Sequence, residues 1–138
     1  MSLNDLNYDM LIENLGVLDD WEERYKYILD LGRLLPEFSS DYKNDSYIVR
    51  GCVSQVWLKC HKNTDILSFD SDSDSHLVRG LIAIVMIIYS HQTAQKILEI
   101  DFKNHFEQMG LSEHLTPQRS NGIFSIVSKI KEYAQIHQ

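Results

Sequence analysis

Apolar residues recur with helical spacing over two segments near the N-terminus. The first predicted helix runs from about residue 4 to residue 15 and ends at Gly16. The second begins after Asp20, whose side chain suits the start of a helix, and Pro36 stops it. Four apolar residues at helical spacing form its predicted buried face: Tyr25, Ile28, Leu29 and Leu35.

The pattern changes to that of β-strands after a polar loop over residues 39–45. Residues 47–49 are a short β-prone run, residues 53–61 alternate between apolar and polar, and residues 66–69 follow a turn at residues 63–65. One face of the alternating run carries Val56, Leu58 and Cys60. These segments predict two or three antiparallel strands.

A serine- and aspartate-rich segment over residues 68–75 separates the strands from the most apolar part of the chain. We expect a turn there, because Ser and Asp side chains satisfy the free N–H groups at a helix start. Residues 77–89 are apolar almost all round and predict a central buried helix. Gly80 lies inside it and lowers its helix propensity by ~1 kcal/mol relative to Ala. Close packing against the sheet would explain this glycine.

The remaining chain is predicted to be helical. Two short helices cover residues 93–100 and 104–109, and the last helix starts with Thr116 as N-cap and Pro117 at its first position. The buried stripe of that last helix comprises Ile123, Ile126, Val127 and Ile130. The order of elements predicts an α+β fold, in which helices pack on one side of a small antiparallel sheet of about three strands. We expect one domain over residues 1–138.

Composition excludes some classes of function. The net charge is −7 and the isoelectric point is near 5.2, whereas nucleic-acid binding needs clustered Lys and Arg. The N-terminal residues lack the basic and apolar regions of a signal peptide. The longest apolar run, residues 81–89, has nine residues, and a membrane span needs roughly 20. We therefore expect a cytoplasmic protein that binds neither nucleic acid nor membrane.

The chain has two cysteines, Cys52 and Cys60. On one continuous strand their Cα atoms would lie about 26 Å apart, and a disulfide needs a separation below about 7 Å. Two unpaired thiols fit a reducing compartment. Cys60 falls in mid-strand on an apolar face, so we interpret it as a packing residue.

Cys52 is the candidate for covalent chemistry. It follows Gly51, which lets the backbone bend, and Arg50 is a nearby cation that would favour the thiolate. A buried, inert cysteine is the alternative interpretation. Arg119 lies in the first turn of the last predicted helix, where a cation opposes the helix dipole. Such a position suits an arginine that faces an acid, an anion or a thiolate, although a solvated arginine also fits.

Motifs for other chemistries are missing from the sequence. It has no C-x-x-C or H-E-x-x-H pair for a metal, no glycine-rich nucleotide loop and no G-x-S-x-G elbow. We therefore expect no metal and no bound cofactor. The six histidines are scattered along the chain.

Four segments in order resemble the SufE/CsdE family of cysteine desulfuration proteins, over about residues 21–134. They are residues 24–28 with 34–36, residues 49–57, residues 72–74 with 78–81, and residues 115–122. The resemblance implies a fold similar to that of IscU-type scaffolds. It also implies that Cys52 forms a persulfide, with Arg50, Gly51, Asp74 and Arg119 in support.

The resemblance further implies partners on both sides of a sulfur transfer. The donor would be a cysteine desulfurase of the SufS or CsdA type, which carries the pyridoxal phosphate and which the chain would stimulate. The acceptor would be an iron–sulfur scaffold complex of the SufBCD type or another protein. The resemblance is compatible with a monomer or a homodimer. Two alternatives remain: an IscU-type metal or cluster scaffold, and a partner activator that works without covalent chemistry.

Overall fold

The computed structural model describes residues 2–138 and has the predicted α+β architecture. Its helices are α1 (Tyr8–Gly16), α2 (Trp21–Gly32), α3 (His76–Tyr89), α4 (Ala94–Glu99), α5 (Phe102–Gln108) and α6 (Pro117–Ile136). Its strands are β1 (Val56–Asn63), β2 (Ile66–Ser73) and β3 (Gln92–Thr93), and short 3-10 turns occupy Leu3–Asp5, Ser40–Tyr42 and Leu111–Glu113. Among these residues, no helix combines the length and apolar character needed to cross a membrane.

Both N-terminal helices are shorter than the sequence predicts. Asn7 caps α1 by accepting a hydrogen bond from the Met10 amide at 2.9 Å, so the predicted first helix divides into a 3-10 turn and α1. The second helix ends at Gly32 rather than at Pro36. Pro36 disfavours the helical conformation of the residue before it, and three 3-10-type hydrogen bonds tighten this exit from the helix.

The sheet is antiparallel with the order β1-β2-β3. Residues 47–49, predicted as a strand, form only an isolated bridge from Ile48 to Trp57. The third strand is instead Gln92–Thr93, which the sequence pattern assigned partly to a helix. These two residues are too few for a period-two pattern to reveal.

The predicted turn over residues 68–75 is wrong for most of its length. Strand β2 continues to Ser73, and its alternating serines and aspartates satisfy the strand period. Ser71 and Ser73 are buried on one face of the strand, whereas Asp70 and Asp72 lie on the other face and are partly exposed. Only Ser75 acts as a helix start, since its hydroxyl accepts from the Val78 amide at 3.4 Å.

Helix α3 runs through the centre of the molecule, as predicted, and packs against α2 and β2. The prediction that Gly80 allows close packing was correct, but the prediction that it packs against the sheet was wrong. A Cβ at Gly80 would lie 2.2 Å from the backbone oxygen of Ile28, so the glycine permits close contact with α2 rather than with the sheet. Accordingly, α2 buries Ile28, Leu31 and Gly32, while Tyr25 is 36% exposed.

Candidate site around Cys52

Cys52 lies in an irregular loop between the bridge at Ile48 and strand β1. The sequence pattern placed it directly before a strand starting at Val53, but β1 begins at Val56. Gly51 has φ = +92°, a backbone conformation that L side chains rarely adopt. An added Cβ at Gly51 would also lie 2.6 Å from Ser125 Oγ on α6. The positive φ therefore favours glycine at this corner, and a larger residue would in addition displace the Ser125 hydroxyl.

The thiol of Cys52 is half-buried against the first turns of α6. Its Sγ lies 3.5 Å from the carbonyl oxygen of Gly122, which accepts a weak hydrogen bond from the S–H group. Burial raises the pKa of the Cys52 thiol. Both effects favour the protonated form, so the resting thiol is less nucleophilic than a free cysteine. This direction is opposite to the activation that a neighbouring cation would give.

A small cavity of about 70 Å³ adjoins Cys52. Val78, Ile123 and Ile126 supply apolar parts of its wall, and Gln118 and Arg119 supply polar parts. A site needs roughly 10–15 Å³ to hold one water-sized group. The cavity can therefore accommodate additional atoms attached to the sulfur.

The structure brings Arg119 to this cavity and leaves Arg50 outside it. Arg119 enters the first turn of α6, where its amide donates to Thr116 Oγ1 at 3.2 Å. Arg50 is exposed and lines a separate open cavity together with Lys129. Of the two arginines, Arg119 is thus the one placed to face a group on Cys52.

Asp74 anchors the far end of the Cys52 loop. Its Oδ1 accepts from the Gln55 amide at 3.1 Å, and its own amide donates to the Gln55 carbonyl at 3.3 Å. The neighbouring Asp70 is placed differently, since its carboxylate pairs with His61 at 2.6 Å, further along the sheet. Asp74 therefore fixes the point from which the loop departs without touching the thiol.

Sequence reasoning missed two residues of α6 that contact this loop, Gly122 and Ser125. They lie three residues apart and so share one helix face. A glycine inside a predicted helix can mark a place where another segment packs nearby, and Gly122 is such a glycine: a Cβ there would make an ordinary contact, 3.7 Å from the Cys52 Sγ. The position of Ser125 opposite Gly51 has no comparable signal.

A partly exposed charge network holds the segment before the loop on the sheet. Asp72 pairs with Lys43 at 3.1 Å and with Arg79 at 2.9 Å, and its side chain is 14% exposed. Lys43 Nζ also lies 5.3 Å from the centroid of the Trp57 ring. The contacts among residues 72–79 are therefore structural supports for the Cys52 region.

The second cysteine has a different environment. Cys60 lies within β1, half-buried, and packs against the hydrophobic core. Cys52 and Cys60 are both free thiols. Within residues 2–138, no three or more His, Cys, Asp and Glu side chains are grouped as metal ligands would be.

Comparison with known proteins bears on this site. The model of the SufE family, described as an Fe-S metabolism associated domain, matches residues 9–134. An uncharacterized SufE-like protein of Rhizobium etli is 45% identical over 132 residues, covering 93% of this chain and 89% of its own length. One of Rhizobium meliloti is 43% identical over 131 residues, covering 92% and 94%.

Among solved structures, the fold is similar to the solution structure of a hypothetical protein from Thermus thermophilus. The TM-score is 0.77 at 14% identity, with 94% of each chain covered, and this likeness concerns the fold alone. The family match begins twelve residues before the segment on which the resemblance rested and otherwise spans the same region. The chain belongs to the SufE family and has a role in sulfur transfer and iron–sulfur metabolism.

Proposed function

We propose that the chain accepts sulfur onto Cys52 from a pyridoxal-phosphate-dependent cysteine desulfurase of the SufS or CsdA type. It stimulates that enzyme and passes the sulfur to an iron–sulfur scaffold of the SufBCD type or another acceptor. The main support for this proposal is the local environment of Cys52. Its thiol sits on an irregular loop beside a cavity with room for further atoms. The two free thiols suit a reducing compartment such as the cytoplasm.

The transfer is an exchange between a thiol and a persulfide. The Cys52 thiolate attacks the outer sulfur of the desulfurase persulfide, and a new S–S bond forms on Cys52. The S–S bond of the donor breaks, and its cysteine leaves as a thiolate that takes up a proton. The product is Cys52–S–SH, with no net oxidation. A second thiolate, on the acceptor, removes the outer sulfur in the same way.

In the free protein the Cys52 thiol is a poor nucleophile. Low reactivity is useful in a sulfur carrier, because the thiol then reacts mainly when it is docked on its partner. Burial and the Gly122 carbonyl keep the Cys52 thiol protonated in the free protein. Docking on the desulfurase must therefore bring the loop outward, away from α6. Gly51 is the hinge for that movement, because glycine tolerates backbone conformations on both sides of φ = 0. Asp74 holds the end of the loop at Gln55 while the thiol moves.

The cavity suits the loaded form of the protein. When the loop returns, the outer sulfur occupies the space next to Cys52, where the walls from Val78 and Ile123 exclude water and reductants. Arg119 faces the same space and stabilises an anionic sulfur by its charge. The cavity thus protects the persulfide between its two partners.

The test uses purified protein, a SufS-type desulfurase and cysteine. Intact mass spectrometry should show the addition of one sulfur atom to the wild type and to Cys60→Ser, and none to Cys52→Ser. Alanine release by the desulfurase should rise with the wild type and fail to rise with Cys52→Ser. Full stimulation by Cys52→Ser would instead identify a non-covalent activator and would contradict the proposal.

A further inference from the structure

A second polar cluster lies on the outer face of the sheet, separate from Cys52. Ser68 of β2, His91 after helix α3, and Asn4 in the N-terminal 3-10 turn meet there. Ser68 Oγ lies 2.9 Å from His91 Nδ1, and His91 Nε2 lies 3.2 Å from Asn4 Oδ1. Three distant parts of the chain therefore converge on one imidazole ring.

One tautomer of His91 satisfies both contacts. With the proton on Nε2, that nitrogen donates to the Asn4 carbonyl oxygen, which can only accept. Nδ1 is then left with a lone pair, and Ser68 donates its hydroxyl proton to it. A hydroxyl that donates to an imidazole oriented by a third group is the arrangement of an activated nucleophile.

The backbone of His91 is also unusual. Its φ is +62°, and within the described residues the only other non-glycine residue with positive φ is Thr64 in the β1–β2 turn. Positions just after a helix with this conformation usually carry Gly or Asn. Backbone strain of this kind clusters at functional sites, and here it directs the imidazole toward Ser68.

A cavity of about 460 Å³ opens beside the cluster. Ligand sites are typically about 300–1,000 Å³ and mostly apolar with a few polar groups. Leu34, Leu35 and Met86 supply apolar lining here, while Ser68 and His91 supply polar groups. The Asp70 carboxylate also lines the cavity and would repel an anion, so the volume and the lining together fit a small molecule without negative charge.

The edge of β2 offers a donor to the same cavity. Strand β3 pairs only with Ile66 and Leu67, and the Phe69 amide on this edge donates to Ser90 Oγ at 3.0 Å. By the two-residue period of a strand, the Ser71 amide points to the same edge, where the ladder gives it no partner. Ser71 also lines the cavity. Its N–H thus offers a hydrogen-bond donor to a molecule bound in the cavity.

We propose that Ser68, His91 and Asn4 form a hydrolytic site for short neutral acyl esters. Ser68 Oγ attacks the ester carbonyl carbon, and His91 Nδ1 takes the hydroxyl proton. The bond to the alcohol oxygen then breaks, and His91 returns the proton to the leaving alcohol. Water attacks the acyl-serine with the same base, which releases the carboxylic acid and restores Ser68.

The test uses the full chain in a Cys52→Ser/Cys60→Ser background, because free thiols also cleave activated esters. Hydrolysis of p-nitrophenyl butyrate is measured, and a fluorophosphonate probe is mapped by peptide mass spectrometry. We expect the probe to label Ser68 in the folded protein and not in the protein unfolded in urea. Ser68→Ala should lower the hydrolysis rate by about 10²-fold or more, whereas Ser128→Ala, an exposed serine of α6, should not.

His91→Asn is the matched variant for the base. Asn tolerates the left-handed backbone, so the fold is kept while the base is lost, and the rate should fall as in Ser68→Ala. Hydrolysis that is equal in the background protein and in Ser68→Ala, or the absence of label on Ser68, would overturn the proposal. The background cannot form the Cys52 persulfide, so the result is independent of the sulfur-carrier function.

Discussion

The Gly51→Ala substitution perturbs the Cys52 loop at the point where the structure favours glycine. A non-glycine residue at φ = +92° is strained by about 1–3 kcal/mol. The new Cβ would also lie 2.6 Å from Ser125 Oγ. At about 1.4 kcal/mol per factor of ten, the torsional strain alone lowers the sheltered population relative to open forms by roughly 5- to 150-fold.

The assay is alkylation of the native protein with iodoacetamide at mildly alkaline pH, read by peptide mass spectrometry. Cys60 serves as an internal reference, since it lies in β1 away from the loop. We expect the ratio of Cys52 to Cys60 alkylation rates to rise by at least roughly 5-fold in Gly51→Ala. The reason is that a loop opened locally exposes the first thiol without changing the second.

Two variants serve as controls. Gly122→Ala places a methyl group 3.7 Å from the Cys52 Sγ, an ordinary contact, and should leave the ratio unchanged or lower it. Gly51→Ala/Ser125→Ala removes the close contact but keeps the strain at φ, so it should retain most of the increase. A ratio in Gly51→Ala equal to that of the wild type would show that the positive φ does not hold the loop in its sheltered form. Equal acceleration at both thiols would also contradict the prediction, since that outcome indicates global unfolding.

Three further predictions concern stability. Gly80→Ala would place a Cβ 2.2 Å from the backbone oxygen of Ile28. The free energy of unfolding in urea should therefore fall by roughly 1–3 kcal/mol or more. An unchanged midpoint of urea unfolding would contradict the close contact between α2 and α3. Thr116→Ala removes the cap of α6 and should lower the free energy of unfolding by about 1 kcal/mol. Burial raises the pKa of Cys52 and Cys60 in the folded protein. Their protonated thiols therefore contribute fully to the free energy of unfolding below the unfolded pKa of about 8.5, and this contribution is lost as the pH rises through the folded pKa values. Denaturant titrations at pH values above about 8.5 should therefore show a smaller decrease in the free energy of unfolding with pH in Cys52→Ser/Cys60→Ser than in the wild type.

The sequence predicted the elements whose pattern is long and periodic. The apolar helix around residues 77–89 and the capped last helix follow from burial and from Thr116–Pro117. The extent of β2 did not follow, because serine and aspartate are typical of turns and only pairing with β1 shows them as a strand. Strand β3 is set by its contact with β2 and has no signal of its own.

The candidate site shows the same division. The sequence alone identifies Gly51 as a point where the backbone can bend next to the thiol of Cys52. The family resemblance then identifies this thiol as the one that forms a persulfide. The partners of the loop come from α6, about 70 residues away in sequence, and no local pattern reveals them. The sheltered state of the thiol arises from this packing, so the sequence could not predict the direction in which its pKa is shifted.

The most direct test of the central claim is a map of the transferred sulfur at peptide level. The protein is incubated with a SufS-type desulfurase and cysteine, blocked with an alkylating reagent, and digested without reductant. We predict that the extra sulfur lies on the peptide that contains Cys52 and that Cys60→Ser leaves its yield unchanged. Sulfur found on Cys60, or uptake that persists in Cys52→Ser, would contradict this claim.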